Sequence, residues 1–265
     1  MSPYSAGDEP LLGAVGGWRM FGRLGRIDVR RKAVMQTQAV ILAAGLGTRL
    51  GKPWPKPLTP LKSGESIMRR AVDALRRHDD QTHVTAVVGF KLDLVIEEMP
   101  DICFVYNELY DRTNTSKSLL KALAQSFDGG VMWMNGDVVF DPRVLDIVRD
   151  HIDAGQSFVC VNTESVAEEE VKYTLGADDK IKELSKTVVG GLGEAVGINY
   201  VAAADKAALI ERLRECDDQD YFERGIELAI EKDGLSFEAV DISAYQVVEV
   251  DFEDDLSRAN TFVTD

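Results

Sequence analysis

Residues 39–61 read AVILAAGLGTRLGKPWPKPLTPL. The run Ala39-Val40-Ile41-Leu42 has the length and apolar content of a strand buried on both faces. It meets a turn that holds Gly45 and Gly47. Two cations, Arg49 and Lys52, follow, and then Lys56 locked between Pro55 and Pro57. Small side chains at Ala43 and Ala44 let a ligand approach the strand end. The two glycines let the backbone wrap it with N–H groups turned inward. Arg49 supplies a planar fork that stays charged, matched to non-bridging phosphate oxygens. Lys56 supplies a point charge on a backbone stiffened by its flanking prolines. An ammonium held in that way suits an α-phosphate whose charge grows in the transition state.

Two other phosphate loops fail on these residues. A Walker A loop needs Lys-Ser or Lys-Thr after its second glycine, and Lys52 is followed by Pro53. A dinucleotide fingerprint needs a third glycine, and Gly45-Leu46-Gly47-Thr48-Arg49-Leu50 ends in leucine. A dehydrogenase is thereby disfavoured. The run Leu42–Leu50, followed by Pro55–Leu58, resembles the LAAGxGTRL…PKPL signature of the nucleotidyltransferases that make nucleotide-activated sugars and alcohols.

Downstream, apolar strands alternate with amphipathic helices. Strands are expected at 38–42, 84–89, 103–106, 131–134 and 157–161. Helices are expected at 66–78, 92–98, 116–126 and 142–152, the third opened by Thr115 or Ser116 and the fourth by Asp141. That alternation implies crossover connections and a mostly parallel sheet. Short strands follow at 171–175, 181–184 and 195–201, then helices at 203–215 and 221–231, strands at 236–240 and 245–250, and a helix at 253–262. The expectation is one α/β domain with a Rossmann-like mixed, mainly parallel sheet flanked by helices, like nucleotide-diphospho-sugar transferases. It spans residues 35–265. Residues 1–34 read as a poorly ordered or loosely docked extension, with Trp18 and Phe21 as docking candidates and Met35 as an alternative start.

The chain has 265 residues and a net charge of −15. Its acidity argues against nonspecific nucleic-acid binding, and no run reaches the length of a membrane span. Cys103, Cys160 and Cys216 are widely spaced and form no CxxC pair. They read as buried free thiols of a cytoplasmic protein. His78, His83 and His151 lack ligand spacing and read as surface residues.

The family resemblance implies Mg²⁺ bound by oxygen ligands. In VMWMNGDVVFD, Asp137 follows the end of an apolar strand, where parallel sheets bind ligands. Taken alone it also reads as a cap; with the opening motif the metal reading prevails. In YQVVEVDFEDD, Glu249 and Asp251 share a face by alternation. The stretch resembles the family's closing acidic motif, with Asp251 the first candidate metal ligand and Glu249 the second. Asp254 and Asp255 read as helix-start charges.

The stretch NELYDRTNTSKS resembles the base-recognition segment of the phosphocholine cytidylyltransferase branch. That resemblance implies Asn107, Thr113, Asn114, Ser116 and Ser118 as nucleotide contacts beside Leu42, Ala43, Ala44, Gly45, Gly47 and Thr48. It makes CTP the preferred donor. Lys186 resembles the lysine that relatives aim at the acceptor's phosphate; its flanks, Ser185 and Thr187, depart from the Glu-Lys-Pro of sugar-activating members. Glu194 and Asn199 are acceptor-contact candidates. In DYFERGIEL, Tyr221 and Phe222 either line the acceptor pocket or pack the core.

The expected chemistry is CMP transfer from CTP to the phosphate or phosphonate of a small alcohol or amine, with release of pyrophosphate. Phosphocholine-, aminoethylphosphonate- and inositol-phosphate-like acceptors remain open. Lys56, Arg49 and Lys186 are the catalytic candidates. The alternatives are a sugar-1-phosphate nucleotidyltransferase using UTP, GTP or dTTP, and a non-catalytic nucleotide-binding regulatory domain. The oligomeric state is not set by these residues, and a homodimer is compatible with them.

Overall fold

The computed structural model describes residues 37–164 and 170–263. The readings of 1–34 and of Met35 lie outside the described residues, as does the side chain of Thr48.

Strand β1 (Gln38–Ala43) is buried along its whole length. Its side chains alternate as a strand demands: Ala39, Ile41 and Ala43 enter one core, Val40, Leu42 and Ala44 the other. Burying each of Val40, Ile41 and Leu42 contributes roughly 1.5–3 kcal/mol. Helix α1 (Ile67–His78) packs on the first face, and Ser66 caps it by accepting the Arg69 N–H at 3.2 Å. Strand β2 (His83–Val88), helix α2 (Leu92–Glu98), strand β3 (Cys103–Tyr106) and helix α3 (Thr115–Gln125) follow. The cap of α3 is Asn114, whose side chain accepts the Thr115 N–H at 2.8 Å, and not Thr115 or Ser116. Asparagine's short carbonyl reaches that first free N–H while its own backbone stays extended.

After β4 (Val131–Asn135) comes a three-residue strand, β5 (Val138–Phe140), which the apolar pattern does not separate from the loop around it. Helix α4 (Val144–Ala154) starts two residues after Pro142, because Asp141 Oδ1 holds the Arg143 N–H in a preceding turn. Strands β6 (Phe158–Asn162), β7 (Lys172–Leu175), β8 (Ile181–Ser185) and β9 (Glu194–Val201) lead to helices α5 (Lys206–Glu215) and α6 (Phe222–Asp233). Strands β10 (Glu238–Asp241) and β11 (Val247–Glu249) and helix α7 (Glu253–Phe262) complete the described order.

The main sheet runs β10-β6-β9-β4-β1-β2-β3, with β7 and β8 added off β9. Strands β3, β2, β1 and β4 are mutually parallel, and β9 is antiparallel to both β4 and β6. This is the mixed, mainly parallel sheet with flanking helices that the alternation implies. One face is covered by α1, α2 and α4, the other by α3, α5 and α6. On the second face Trp133 meets Phe222 edge-on at 5.6 Å. A separate antiparallel ribbon joins β11 to β5, pairing Glu249 with Val138. It packs with Leu61, Ile67 and Ala259 in a third, smaller core.

Cys160 and Cys216 are buried, but Cys103 is exposed, against expectation. It begins β3, which is the edge strand among the described residues, with no described strand on its outer side. Among the described residues no helix is long and apolar enough to cross a membrane.

Candidate active site

The carboxyl ends of β1 and β4 meet at one crevice, and Gly136 N–H bonds the Leu42 carbonyl at 2.9 Å across them. A cleft of about 390 Å³ opens there, beyond the strand ends. Leu42, Ala43, Gly45 and Gly47 form one wall. Gly47 has φ +58°, and a Cβ there would lie 2.7 Å from Lys56 Cβ, so glycine lets the loop close onto the lysine. At Gly45 a Cβ would meet nothing within 4 Å, so the loop faces open space.

Lys56 sits in a 3₁₀ turn, Lys56–Leu58, entered from Pro55 at φ −54°. The turn aims the ammonium inward, and the residue is 9% exposed. Lys56 Nζ donates to Asp137 Oδ2 and to Asp251 Oδ1, each at 2.5 Å. Arg49 donates to the other Asp251 oxygen at 2.9 Å. Burial opposes the charge on Lys56, but Asp137 and Asp251 outweigh it and raise its pKa. Burial likewise opposes ionisation of Asp251, yet Lys56 and Arg49 hold its carboxyl below the ordinary range.

The ribbon explains how residues more than a hundred positions apart converge. Val250 N–H bonds the Asp137 carbonyl at 3.0 Å, one step beyond the β11–β5 pairing. Asp255 Oδ2 accepts the Asp251 and Phe252 N–H groups at 3.1 and 2.8 Å, which fixes the strand-to-helix corner. Glu249 accepts from Asn135 Nδ2 at 3.0 Å. Burial, then Asp137 and Glu170, push its carboxyl well above the ordinary range.

Lys186 and Tyr221 form the far wall, with the Lys186 ammonium 5.1 Å from the Tyr221 ring centroid. Phe222 lines the cleft too, yet it is 2% exposed and packs the core.

Several expected contacts do not line the cleft. Asn107 is buried, and its Nδ2 donates to Thr113 Oγ1 and Ser118 Oγ at 3.1 Å each. These three residues hold the loop before α3 in shape and turn their polar atoms on one another. Asn114 is occupied as the α3 cap and by the Gln219 carbonyl. Ser116 is fully buried. Of that segment, Thr115 reaches the cleft, and its Oγ1 also accepts the Phe222 N–H at 3.1 Å. Asn199 lies within the sheet between Trp133 and Val159 and is 1% exposed, because alternation along β9 turns it into the core. Glu194 is at the start of β9, opposite Asn162 and Lys172, and Ala44 is tied to Phe90.

Three residues not singled out as site candidates from the sequence also line the cleft: Asn135, Glu170 and Glu223. Glu223 lies within DYFERGIEL, where the aromatic pair draws the eye. Its signal is an acid following a buried phenylalanine at a helix start.

A glycine loop, two converging cations and paired carboxylates thus meet at the switch point of the parallel strands. The chain belongs to the MobA-like NTP transferase domain family, matched over residues 39–227. A CMP-5'-(3-aminopropyl)phosphonate synthase from Streptomyces rubellomurinus is 40% identical over 119 residues, 41% of this chain. That stretch is 18% of the relative's length. Two solved structures superpose on 87% of this chain with a TM-score of 0.68. One is an inositol-1-phosphate CTP transferase from T. maritima (14% identical, 98% of its chain), the other a CTP:phosphocholine cytidylyltransferase from Streptococcus pneumoniae (17%, 100% of its chain). At those identities the likeness is one of fold.

Proposed function

We propose that the protein is a Mg²⁺-dependent cytidylyltransferase. It transfers CMP from CTP to the phosphate or phosphonate of a small alcohol or amine and releases pyrophosphate. The observation that carries this reading is the meeting of Lys56, Asp137 and Asp251 beside the Gly45–Gly47 loop. The phosphonate-activating relative supports CTP and this acceptor class.

The donors suit Mg²⁺. Among the described residues no three carboxylate, histidine or cysteine side chains group tightly enough to enclose a metal. Mg²⁺ needs only one or two carboxylates, with water and substrate phosphates completing its shell. Asp137 Oδ1 is buried without a hydrogen-bond partner, an oxygen left open for a cation. Asp137 and Asp251 would hold the ion, with Glu249 as a further candidate, and bound there it would neutralise phosphate charge.

The chain's own groups account for the rest. The loop from Leu42 to Gly47 receives the phosphates on bare backbone. Lys56 neutralises the α-phosphate as an acceptor oxygen bonds to phosphorus and the α–β bridging bond breaks. Arg49 takes the departing pyrophosphate, and Lys186 steadies the acceptor. No protein nucleophile is needed, because the acceptor dianion already attacks near neutral pH; positioning and charge neutralisation supply the rate.

Four nucleoside triphosphates screened against phosphorylated small molecules, with pyrophosphate as readout, test the reading. Release with CTP and a phosphate or phosphonate acceptor is expected. Preference for UTP, GTP or dTTP with a sugar 1-phosphate would replace it. Nucleotide binding with no pyrophosphate from any pair would make the protein a regulatory binder.

A further inference from the structure

A second cavity, of about 630 Å³, adjoins the cleft and shares Lys186, Tyr221 and Glu223 with it. Its other acids already have partners. Glu227 accepts the Leu184 N–H at 3.0 Å and pairs with Arg224 at 3.2 Å. Glu183 accepts from Thr174 Oγ1 at 2.6 Å, and Asp220 accepts the Asp217 N–H at 2.8 Å. Glu223 differs. It is 7% exposed, and its Oε2 is buried with no hydrogen-bond partner among the described residues.

An unpartnered carboxylate oxygen is costly to bury, and proteins keep few of them. Phe222, beside Glu223 in sequence, is locked against Trp133, so the start of α6 is not free to turn the acid away. The oxygen therefore waits for a donor that arrives with a ligand. Resting on the cytidylyltransferase reading, we infer that Glu223 selects acceptors with a protonated primary amine. The acceptor is then a short zwitterion, phosphate or phosphonate at the Lys186 end and ammonium at the Glu223 end.

The chemistry excludes the nearer alternatives. A polyol hydroxyl can hydrogen-bond the acid but does nothing to favour its ionised form, whereas an ammonium supplies both a donor and the charge that favours the carboxylate. A quaternary ammonium has no N–H to donate and binds through several aromatic faces. Tyr221 is the only exposed aromatic lining either cavity among the described residues, and Lys186 lies over its ring. The acid's own state fits an incoming cation. Burial lifts its carboxyl to about 7 against the pull of its own backbone N–H and of Lys186, so a neighbouring ammonium readily ionises it.

The test compares 2-aminoethylphosphonate with propylphosphonate, in which a methyl replaces the ammonium. Pyrophosphate release is measured, together with calorimetric binding to protein loaded with a non-hydrolysable CTP analogue. The wild type is expected to favour the amine about 100-fold in kcat/KM and in affinity. Glu223→Gln is expected to shrink that ratio to about tenfold or less, chiefly through KM, with Glu223→Asp intermediate. A wild type indifferent to the ammonium, or a Glu223→Gln protein that keeps the full ratio, overturns the assignment while leaving cytidylyl transfer intact. Amine-selective, Glu223-dependent binding with no pyrophosphate from any acceptor upholds the assignment and overturns the transfer reading. Binding of neither phosphonate overturns the assignment too.

Discussion

Lys56 is tightly held in the cleft: prolines on both sides, two carboxylates on its ammonium, little solvent. Lys56→Ala is expected to lower turnover by about 10²–10³-fold, the cost of losing one preorganised donor to developing charge. Unchanged thermal unfolding alongside unchanged turnover would refute its catalytic role. Glu223 makes a prediction for stability and its pH dependence. Its folded pKa is raised from 4.5 to about 7 by burial, so the folded protein keeps a proton that the unfolded chain has released. Stability therefore falls as pH climbs from about 4.5 to about 7, by an amount on the order of 3 kcal/mol, and is flat on either side. Glu223→Gln removes that slope. Its Tm should exceed the wild type's at pH 8 and match it near pH 4. Of the residues, Lys56, Asp137 and Asp251 were legible because each sits in a motif with its own chemistry. Glu223 and Glu170 were not. Burial by distant elements makes these glutamates unusual, and at Glu223 the local pattern gives only a weak hint, an acid after an aromatic pair at a helix start.

At the level of elements, the parallel strands and their crossover helices were legible from alternation, mostly to within a residue or two of each end. What escaped was the β5–β11 ribbon as a pairing. Val138–Phe140 is too short to show a period, and its partner lies about a hundred residues away. The segment expected to contact the base is ambiguous in sequence for a related reason. Polar residues that cluster before a helix serve a cap, a loop or a ligand equally well, and here Asn107, Thr113 and Ser118 satisfy one another. Strand β9 carries a tight constraint at Gly197, with φ +69°, where a Cβ would lie 2.5 Å from Glu249 Oε1 and 2.8 Å from Asn135 Nδ2. Gly197→Ala is expected to cost about 1–3 kcal/mol through the positive φ and the clash. It should also separate Asn135 from Glu249. Activity falling more than stability accounts for would be the sign that this link shapes the cleft; wild-type stability and turnover would refute the constraint.

For the molecule as a whole, charge is the organising quantity. On the proposed reading a chain of net charge −15 must admit a polyanion, and in the cleft itself carboxylates outnumber cations. Without a divalent ion, Asp137 and Asp251 occupy the cations that the phosphates require. Chelation by EDTA should therefore weaken CTP binding by at least about tenfold, not merely slow the chemistry. Calorimetry with and without Mg²⁺ decides this, and equal affinities would count against the metal assignment. Asp137→Asn should remove the difference. The ribbon carries one more implication, for the moment at which a newly made chain becomes active. Every strand of the main sheet precedes β11, so most of the architecture is in hand before the ribosome reaches residue 247. The second acid is not. A nascent chain halted short of residue 251 would carry the glycine loop and the lysine but no clamp to complete them, so the proposed transfer should begin only once translation has passed that point.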